Sequence, residues 1–191
     1  MSGGTALAEF YLHHRLSEDL DFFSTTEFEP TIIIPISQQL KTQVDARAVQ
    51  LEQRFNRNIL YLETPDETLK LEFSWYIGAL IEQGQMYRQL RIDSARDIAV
   101  NKLFTIYQRP RARDYVDLYF LMNEYQYDLH ELMKLARLKF DWHIDPIQLG
   151  GRFVEPNLED WPIMIRPLAP VALTEWLKET ARTLEKDVLT D

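Results

Sequence analysis

Three observations predict an α+β fold with strands early and helices late. Strand-like segments, Asp19–Phe23, Asn58–Glu63 and Thr68–Tyr76, all fall in the first part of the chain. From Ser94 onward, apolar residues recur at helical spacing. The two kinds of segment do not alternate strictly, as a doubly wound parallel sheet would require.

Taken in order, Gly3-Gly4 precedes a stretch in which Leu7, Phe10, Tyr11 and His14 share a helical face, so a helix starts straight after the glycines. Asp19-Leu-Asp-Phe-Phe23 reads as a short strand. Pro35 to about Phe55 reads as a helix with proline in its first turn. Asn58–Glu63 and Thr68–Tyr76 read as strands joined by a Thr-Pro-Asp-Glu turn. Ser94 and Asp97 form a capping pair for a helix ending at Gln108, and Arg111–Tyr125, Leu129–Phe140 and Val171–Val188 are three more helices. The proline-containing stretch Asp145–Pro170 is expected to be irregular, with Gly150-Gly151 in a loop.

At 191 residues, the chain can bury roughly two-thirds of its unfolded surface in a core. Its 46% apolar and 27% charged content excludes collagenous, low-complexity and wholly disordered chains. With 21 basic against 30 acidic side chains the net charge is −9, so nucleic acid is not attracted globally and any RNA contact requires a local patch. The lack of cysteine excludes disulfides, thiolate zinc sites and cysteine nucleophiles, and is compatible with a cytoplasmic setting. No apolar run reaches the length of a membrane span, and no signal-peptide pattern is readable.

The chemistry-bearing pattern begins with Asp19 and Asp21. Two residues apart on a strand, both carboxylates point to one face, with Leu20 and Phe22 on the other. Adjacent like charges are costly without a cation, and Mg²⁺ characteristically takes one or two carboxylates plus substrate phosphates. A polar strand edge facing water is the plain alternative. In the strand from Thr68, Lys70, Glu72 and Ser74 share one face while Leu69, Leu71, Phe73 and Trp75 share the other. Glu72 completes a three-carboxylate metal site only if the two strands are neighbours.

Two glycine pairs hold four of the chain's six glycines. A Gly3-Gly4-Thr5 turn opening a helix offers free N–H groups and the positive dipole end to a phosphate, and the missing Cβ atoms permit close approach. A plain turn is the alternative reading.

This combination resembles the nucleotidyltransferases of the DNA polymerase beta superfamily, whose signature is a Gly-Gly or Gly-Ser turn followed by Asp-x-Asp or Asp-x-Glu. Here 13 residues separate Gly4-Thr5 from Asp19-Leu20-Asp21. The chain looks closer still to the AbiEii/AbiGii abortive-infection toxin family. That likeness rests on Gly3–Leu7, His14–Phe23, Lys70–Phe73, Ala99–Phe104 and Arg109–Tyr119, in the family's order over residues 3 to about 122. The resemblance implies a nucleotidyltransferase core (1–92) with a mixed sheet, carrying a helical C-terminal part (93–191) packed on it. It implies the toxin of a toxin–antitoxin pair, transferring a nucleotide from a nucleoside triphosphate to an RNA such as tRNA, or to a protein. By the family's pattern Asp19, Asp21 and Glu72 are catalytic and bind Mg²⁺. Gly3, Gly4 and Thr5 meet the triphosphate, Lys102 reaches the phosphates, and Asp114 lies in the second acidic motif.

The chemistry suits these residue types, because nucleotidyl transfer needs charge neutralisation and in-line positioning more than covalent help. Lys102 sits within the apolar stripe Ala95, Ile98, Leu103 and Ile106, where a lysine is expensive unless paired. Asp114 and Asp117 share a helix face and either pair with Arg111, Arg113 or Lys102 or accept a ligand. Arg15, beside Ser17, either clamps a carboxylate or meets a phosphate. Arg109, Arg111 and Arg113 form a basic cluster that reads as a solvated helix start, or as a patch for RNA or an antitoxin. His13 and His14 have no partner at metal spacing. Trp75, Trp142, Trp161 and Trp176 read as core.

In the superfamily fold a strand precedes the glycine pair, whereas only Met1 and Ser2 do so here. The expectation is a sheet without its first strand. A late-assigned start, a truncated copy, or a strand supplied by another chain through the open sheet edge would each account for it. The alternative to an enzyme is then a non-catalytic relict that binds an antitoxin or a second copy of itself.

Overall fold

The computed structural model describes residues 1–75 and 78–188; Tyr76, the last residue of the third expected strand, lies outside them. Helix α1 (Gly3–Leu7) runs directly into a π-turn (Ala8–Leu12). His13, in the left-handed region at φ 48, ends it, its N–H donating to the Ala8 carbonyl (2.9 Å). Strand β1 (Asp19–Ser24) follows, then α2 (Ile33–Gln43), β2 (Ala48–Arg54), β3 (Arg57–Glu63) and β4 (Thr68–Trp75). A two-stranded ribbon of β5 (Gln85–Tyr87) and β6 (Leu90–Ile92) leads into α3 (Ala95–Gln108), α4 (Ala112–Tyr125), α5 (Leu129–Phe140), α6 (Pro146–Val154) and α7 (Pro170–Val188).

The sheet order is β1-β4-β3-β2, with β1 and β4 parallel and the other neighbours antiparallel. This is the mixed sheet of an α+β fold. The side of β1 away from β4 is bordered by Ser2, whose N–H donates to the Asp21 carbonyl (3.0 Å). Alternation gives the sheet two unlike faces. Leu60, Leu62 and Leu71 are buried with Leu20, Phe22 and Phe73 beneath Leu40 and Val44 at the end of α2. Phe22 and Phe73 stack at 5.2 Å across the parallel pair. The other face carries Asp19, Asp21, Lys70 and Glu72.

A second core joins α1 to the C-terminal helices. Ala6, Leu7 and Leu12 pack with Ile98, Leu103 and Ile106 of α3, Val116 and Leu121 of α4, Leu149 and Phe153 of α6, and Leu173 and Leu177 of α7. Each fully buried Leu or Ile contributes roughly 1.5–3 kcal/mol. The capping pair that starts α3 forms as expected. The Asp97 N–H donates to Ser94 Oγ (3.0 Å), and the Ser94 hydroxyl donates back to the Asp97 carboxylate (2.8 Å).

The structure corrects four expectations. The helix expected over Pro35–Phe55 ends at Gln43, and residues 48–54 form β2. Asp45 turns left-handed (φ 52), and Val49 and Leu51 then alternate in register with Leu62 and Leu60. The stretch from Asp145 is not wholly irregular but opens with α6. The Asp145 carboxylate accepts the Gln148 N–H (2.9 Å), Pro146 takes the first turn, and Leu149 and Phe153 bury one turn apart. Gly150 and Gly151 therefore lie within a helix rather than a loop. Trp142 is not core: it is 53% exposed.

Candidate active site

The parallel pairing of β1 with β4 builds the site. Its register places Asp19 beside Lys70 and Asp21 beside Glu72, all on the face away from Leu71. The strand neighbourhood that the sequence left open is thus present, and the three carboxylates share one cleft of about 440 Å³. Gly3, Gly4, Arg15, Ser17, Lys102 and Asp114 line it too. Thr5 does not line it. Its buried hydroxyl donates to the Asp19 carbonyl and is hydrogen-bonded to the Ser17 hydroxyl (2.9 Å), tying α1 to the start of β1.

The glycine pair is pressed against the acidic strand. Gly3 is left-handed (φ 77), and a Cβ there would collide with the Asp21 carboxylate. A Cβ on Gly4 would collide with the Arg15 guanidinium.

The carboxylates differ in their surroundings. Asp19 faces Lys70 (3.2 Å) and Arg113 (3.4 Å). Glu72 accepts two hydrogen bonds from Arg57 (2.6 and 2.5 Å) and one from Ser74 (3.1 Å). Burial works to raise the Glu72 carboxyl, but the Arg57 guanidinium outweighs it and holds the group below its usual range. Asp21 makes no ion pair among the described residues. Burial, and then the neighbouring Glu72 carboxylate, push its carboxyl up to about 6, with Lys102 opposing and Asp19 adding to the rise.

Beneath the cleft lies a closed ionic cluster. Asp117, fully buried, accepts from His14 Nε2 (2.8 Å), Arg15 Nε (2.6 Å), Arg15 Nη2 (2.8 Å) and Lys102 Nζ (2.7 Å). Lys102 Nζ also donates to Asp114 (2.7 Å), and Asp114 accepts the Arg111 backbone N–H (3.1 Å). Burial alone would raise Asp117. Lys102, Arg15 and His14 overcome it and hold the carboxylate far below the usual range. Burial would likewise lower Lys102, but Asp117 and then Asp114 raise it. The lysine within the apolar stripe is therefore paired, as its position requires. Arg15 clamps a carboxylate, one of its two expected roles. Arg57 was missed at the sequence level, because only the β3–β4 register brings it to Glu72.

Among the described residues no three acidic or histidine side chains converge closely enough to enclose a cation. The donor chemistry nevertheless fits Mg²⁺. All the groups are hard oxygens, Asp21 carries an uncompensated charge, and this ion needs only one or two carboxylates when phosphates and waters complete its shell.

A mixed sheet with a carboxylate pair on β1, a third carboxylate on its parallel neighbour and a glycine turn pressed against them is the nucleotidyltransferase fold. The chain belongs to the family described as the nucleotidyl transferase AbiEii toxin of a type IV toxin–antitoxin system, whose model matches residues 1–185. It is 36% identical over 142 residues to the uncharacterized protein aq_aa25 of Aquifex aeolicus (strain VF5), a match covering 73% of this chain and 65% of that protein. The match thus spans a little under two-thirds of that relative's length. Its fold is similar to the crystal structure of JHP933 from Helicobacter pylori, with a TM-score of 0.60 and 22% identity over 97% of this chain and 83% of that one. No helix among the described residues is long and apolar enough to cross a membrane.

Proposed function

We propose that the chain is a Mg²⁺-dependent nucleotidyltransferase toxin that transfers a nucleotide from a nucleoside triphosphate to an acceptor hydroxyl on RNA, with a protein hydroxyl as the other acceptor class. The observation that carries this reading is the β1–β4 register, which sets Glu72 beside Asp21 on the face that Gly3 touches. Of Asp19, Asp21 and Glu72, Asp21 with one neighbour would hold the metal in this arrangement, and the third carboxylate would border it; the metal would supply charge neutralisation at the reacting phosphate and leaving group. The Gly3-Gly4 backbone would offer N–H groups to the triphosphate, while the missing Cβ atoms let the Asp21 carboxylate and the Arg15 guanidinium lie against that turn. The acceptor oxygen bonds to the α-phosphorus, the bond to pyrophosphate breaks, and a cleft carboxylate takes the hydroxyl proton. Asp114 and Asp117 fix Lys102 at the cleft floor, where its ammonium would face the phosphates. A toxin of this kind works in the cytoplasm beside an antitoxin protein.

The test is binding of a non-hydrolysable triphosphate with and without Mg²⁺. Wild type should bind only with the metal, and Asp19→Ala/Asp21→Ala should not bind. Equal binding by both proteins would overturn the proposal.

A second reading is favoured by one observation: Arg57, Lys70 and Arg113 already neutralise Glu72 and Asp19. A non-catalytic descendant that binds an antitoxin or a second copy would keep such pairs. Transfer of labelled nucleotide onto tRNA or protein by the purified chain would eliminate that reading.

A further inference from the structure

The two edges of the sheet are unlike. Beyond β1, Ser2 donates its N–H to the Asp21 carbonyl (3.0 Å) and borders that side. At the other end β2 closes the order β1-β4-β3-β2, and among the described residues no strand pairs with its outer side. A free edge is a row of unpaired N–H and carbonyl groups, and proteins guard such rows with lysine, proline, a bulge or a very short strand. β2 has none of these. It runs for 7 residues in unbroken register with β3 and holds no Lys, Pro or Gly. Its two charged side chains, Glu52 and Arg54, pair with each other (2.8 Å).

We infer that β2 pairs antiparallel with β2 of a second copy of this chain, joining the two four-stranded sheets into one continuous sheet with a twofold axis at Leu51. The inference is independent of the nucleotidyltransferase reading. Three observations carry it.

The first is self-complementarity. Only one antiparallel register overlaps β2 with its own copy along its whole length. In it Leu51 faces Leu51, Gln50 faces Glu52, Val49 faces Gln53 and Ala48 faces Arg54. No like charges are opposed, and the Gln50 amide meets the Glu52 carboxylate, a favourable cross-strand pair. A slide of two residues toward the β2–β3 turn would set Glu52 opposite Glu52, so the charges also select the register.

The second is the apolar row. Val49 and Leu51 pack against the core of Ala46, Leu60, Leu62 and Leu71, yet both are only half-buried because that core stops at the edge strand. Pairing with a second copy carries the row across the axis and covers it.

The third is charge and closure. The chain carries −9, so two copies repel each other over most of their surfaces, whereas β2 has one acidic and one basic side chain and is neutral. A twofold pairing uses both free edges. The outer edges of the joined sheet are then the β1 sides that Ser2 borders, so assembly stops at two copies. Gln50, Glu52 and Arg54 share the sheet face of Lys70 and Glu72, so both clefts open on the same side of the joined sheet.

The cysteine-free chain makes the edge directly readable. Directly opposed residues of an antiparallel pair have Cα atoms about 4.5–5.5 Å apart, within disulfide reach. Leu51→Cys should therefore oxidise to a covalent dimer. Gln53→Cys should not, since its own copy lies about 13 Å away along the strand. Sedimentation equilibrium without nucleotide should show wild type in a monomer–dimer equilibrium. Gln50→Glu opposes carboxylates at two places in each dimer and should weaken it about tenfold, and adding Glu52→Lys should restore it. A wild type that stays monomeric at about 1 mM, leaving the edge bare or to another protein, would overturn the inference. So would Gln53→Cys crosslinking as readily as Leu51→Cys, or a dimer indifferent to Gln50→Glu. If Leu51→Cys fails to fold, a mixture of Gln50→Cys and Glu52→Cys chains decides, because those two positions face each other across the axis.

Discussion

The protein carries two clusters of charge a few residues apart in space, and they are built on opposite principles. Around Asp117, three cationic or imidazole partners converge at 2.6–2.8 Å on a carboxylate that solvent does not reach. Around Asp21, Glu72 and Asp19 add like charge, and among the described residues the basic ion-pair partners sit on those two carboxylates rather than on Asp21. In the first cluster the Asp117 carboxylate is fully met by its own side-chain partners, although the buried His14 Nδ1 has no hydrogen-bond partner among the described residues. The second is balanced at its edges by Arg57, Lys70 and Arg113, while Asp21 itself has no ion-pair partner among the described residues. A buried group whose partners are all present belongs to the scaffold, whereas a group whose environment opposes its own charge marks the place where a ligand completes the balance.

The largest effect expected from this contrast is at Asp117. Asp117→Ala strands Arg15 and Lys102 without their shared counter-ion and should cost about 3–5 kcal/mol, read by urea denaturation. A loss under about 1 kcal/mol would show that the cluster is not structural. At Asp21 the sign reverses. Asp21→Asn should abolish nucleotide transfer while raising the metal-free stability by about 1 kcal/mol, since it removes a destabilised charge. A destabilised Asp21→Asn would break the comparison.

The two clusters should also answer pH in opposite directions. Asp117 has a depressed carboxyl, so its contribution is complete above the unfolded value near 4 and is lost as pH falls below it. Asp21 is raised to about 6. Between about 4 and 6 the folded state keeps a proton that the unfolded chain has released, so stability falls as pH rises through that window. Millimolar Mg²⁺ should therefore raise the melting temperature more at pH 7.5 than at pH 5. An equal rise at both pH values would separate metal binding from Asp21. The smallest effect lies outside both clusters. Gly151 is an exposed helical residue, and a Cβ added there would meet nothing within 4 Å. Gly151→Ala should stabilise by about 0.5–1 kcal/mol in the same denaturation assay.

Much of this architecture was legible in the chain because it is encoded locally. Ser94 and Asp97 start α3, the alternation of Leu69, Leu71 and Phe73 marks β4, and the spacing of Asp19 and Asp21 sets both on one face. Residues 48–54 were misread because Val49 and Leu51 acquire their meaning from Leu60 and Leu62 on the next strand. The helix over residues 146–154 was obscured by its two glycines, although Asp145-Pro146 and the Leu149–Phe153 spacing announced it. The neighbourhood of Asp21 and Glu72 was out of reach, since parallel pairing across some fifty residues leaves no local trace. The same holds for Arg57 on Glu72 and for the partners of Lys102, where only the need for some partner was visible.

The parallel register has a further consequence, for how the carboxylate face could be lost. Because side chains alternate with period two, sliding β4 by one residue would turn its apolar residues toward the cleft and unfold the packing. A slide of two residues keeps every face correct but sets Lys70 opposite Asp21 and carries Glu72 up to Phe23. Such a chain would fold, keep both acidic motifs intact and hold an ion pair where the third carboxylate stood. A short insertion or deletion near the Thr64–Glu67 turn would therefore dismantle the three-carboxylate face while leaving every one of its residues in the sequence.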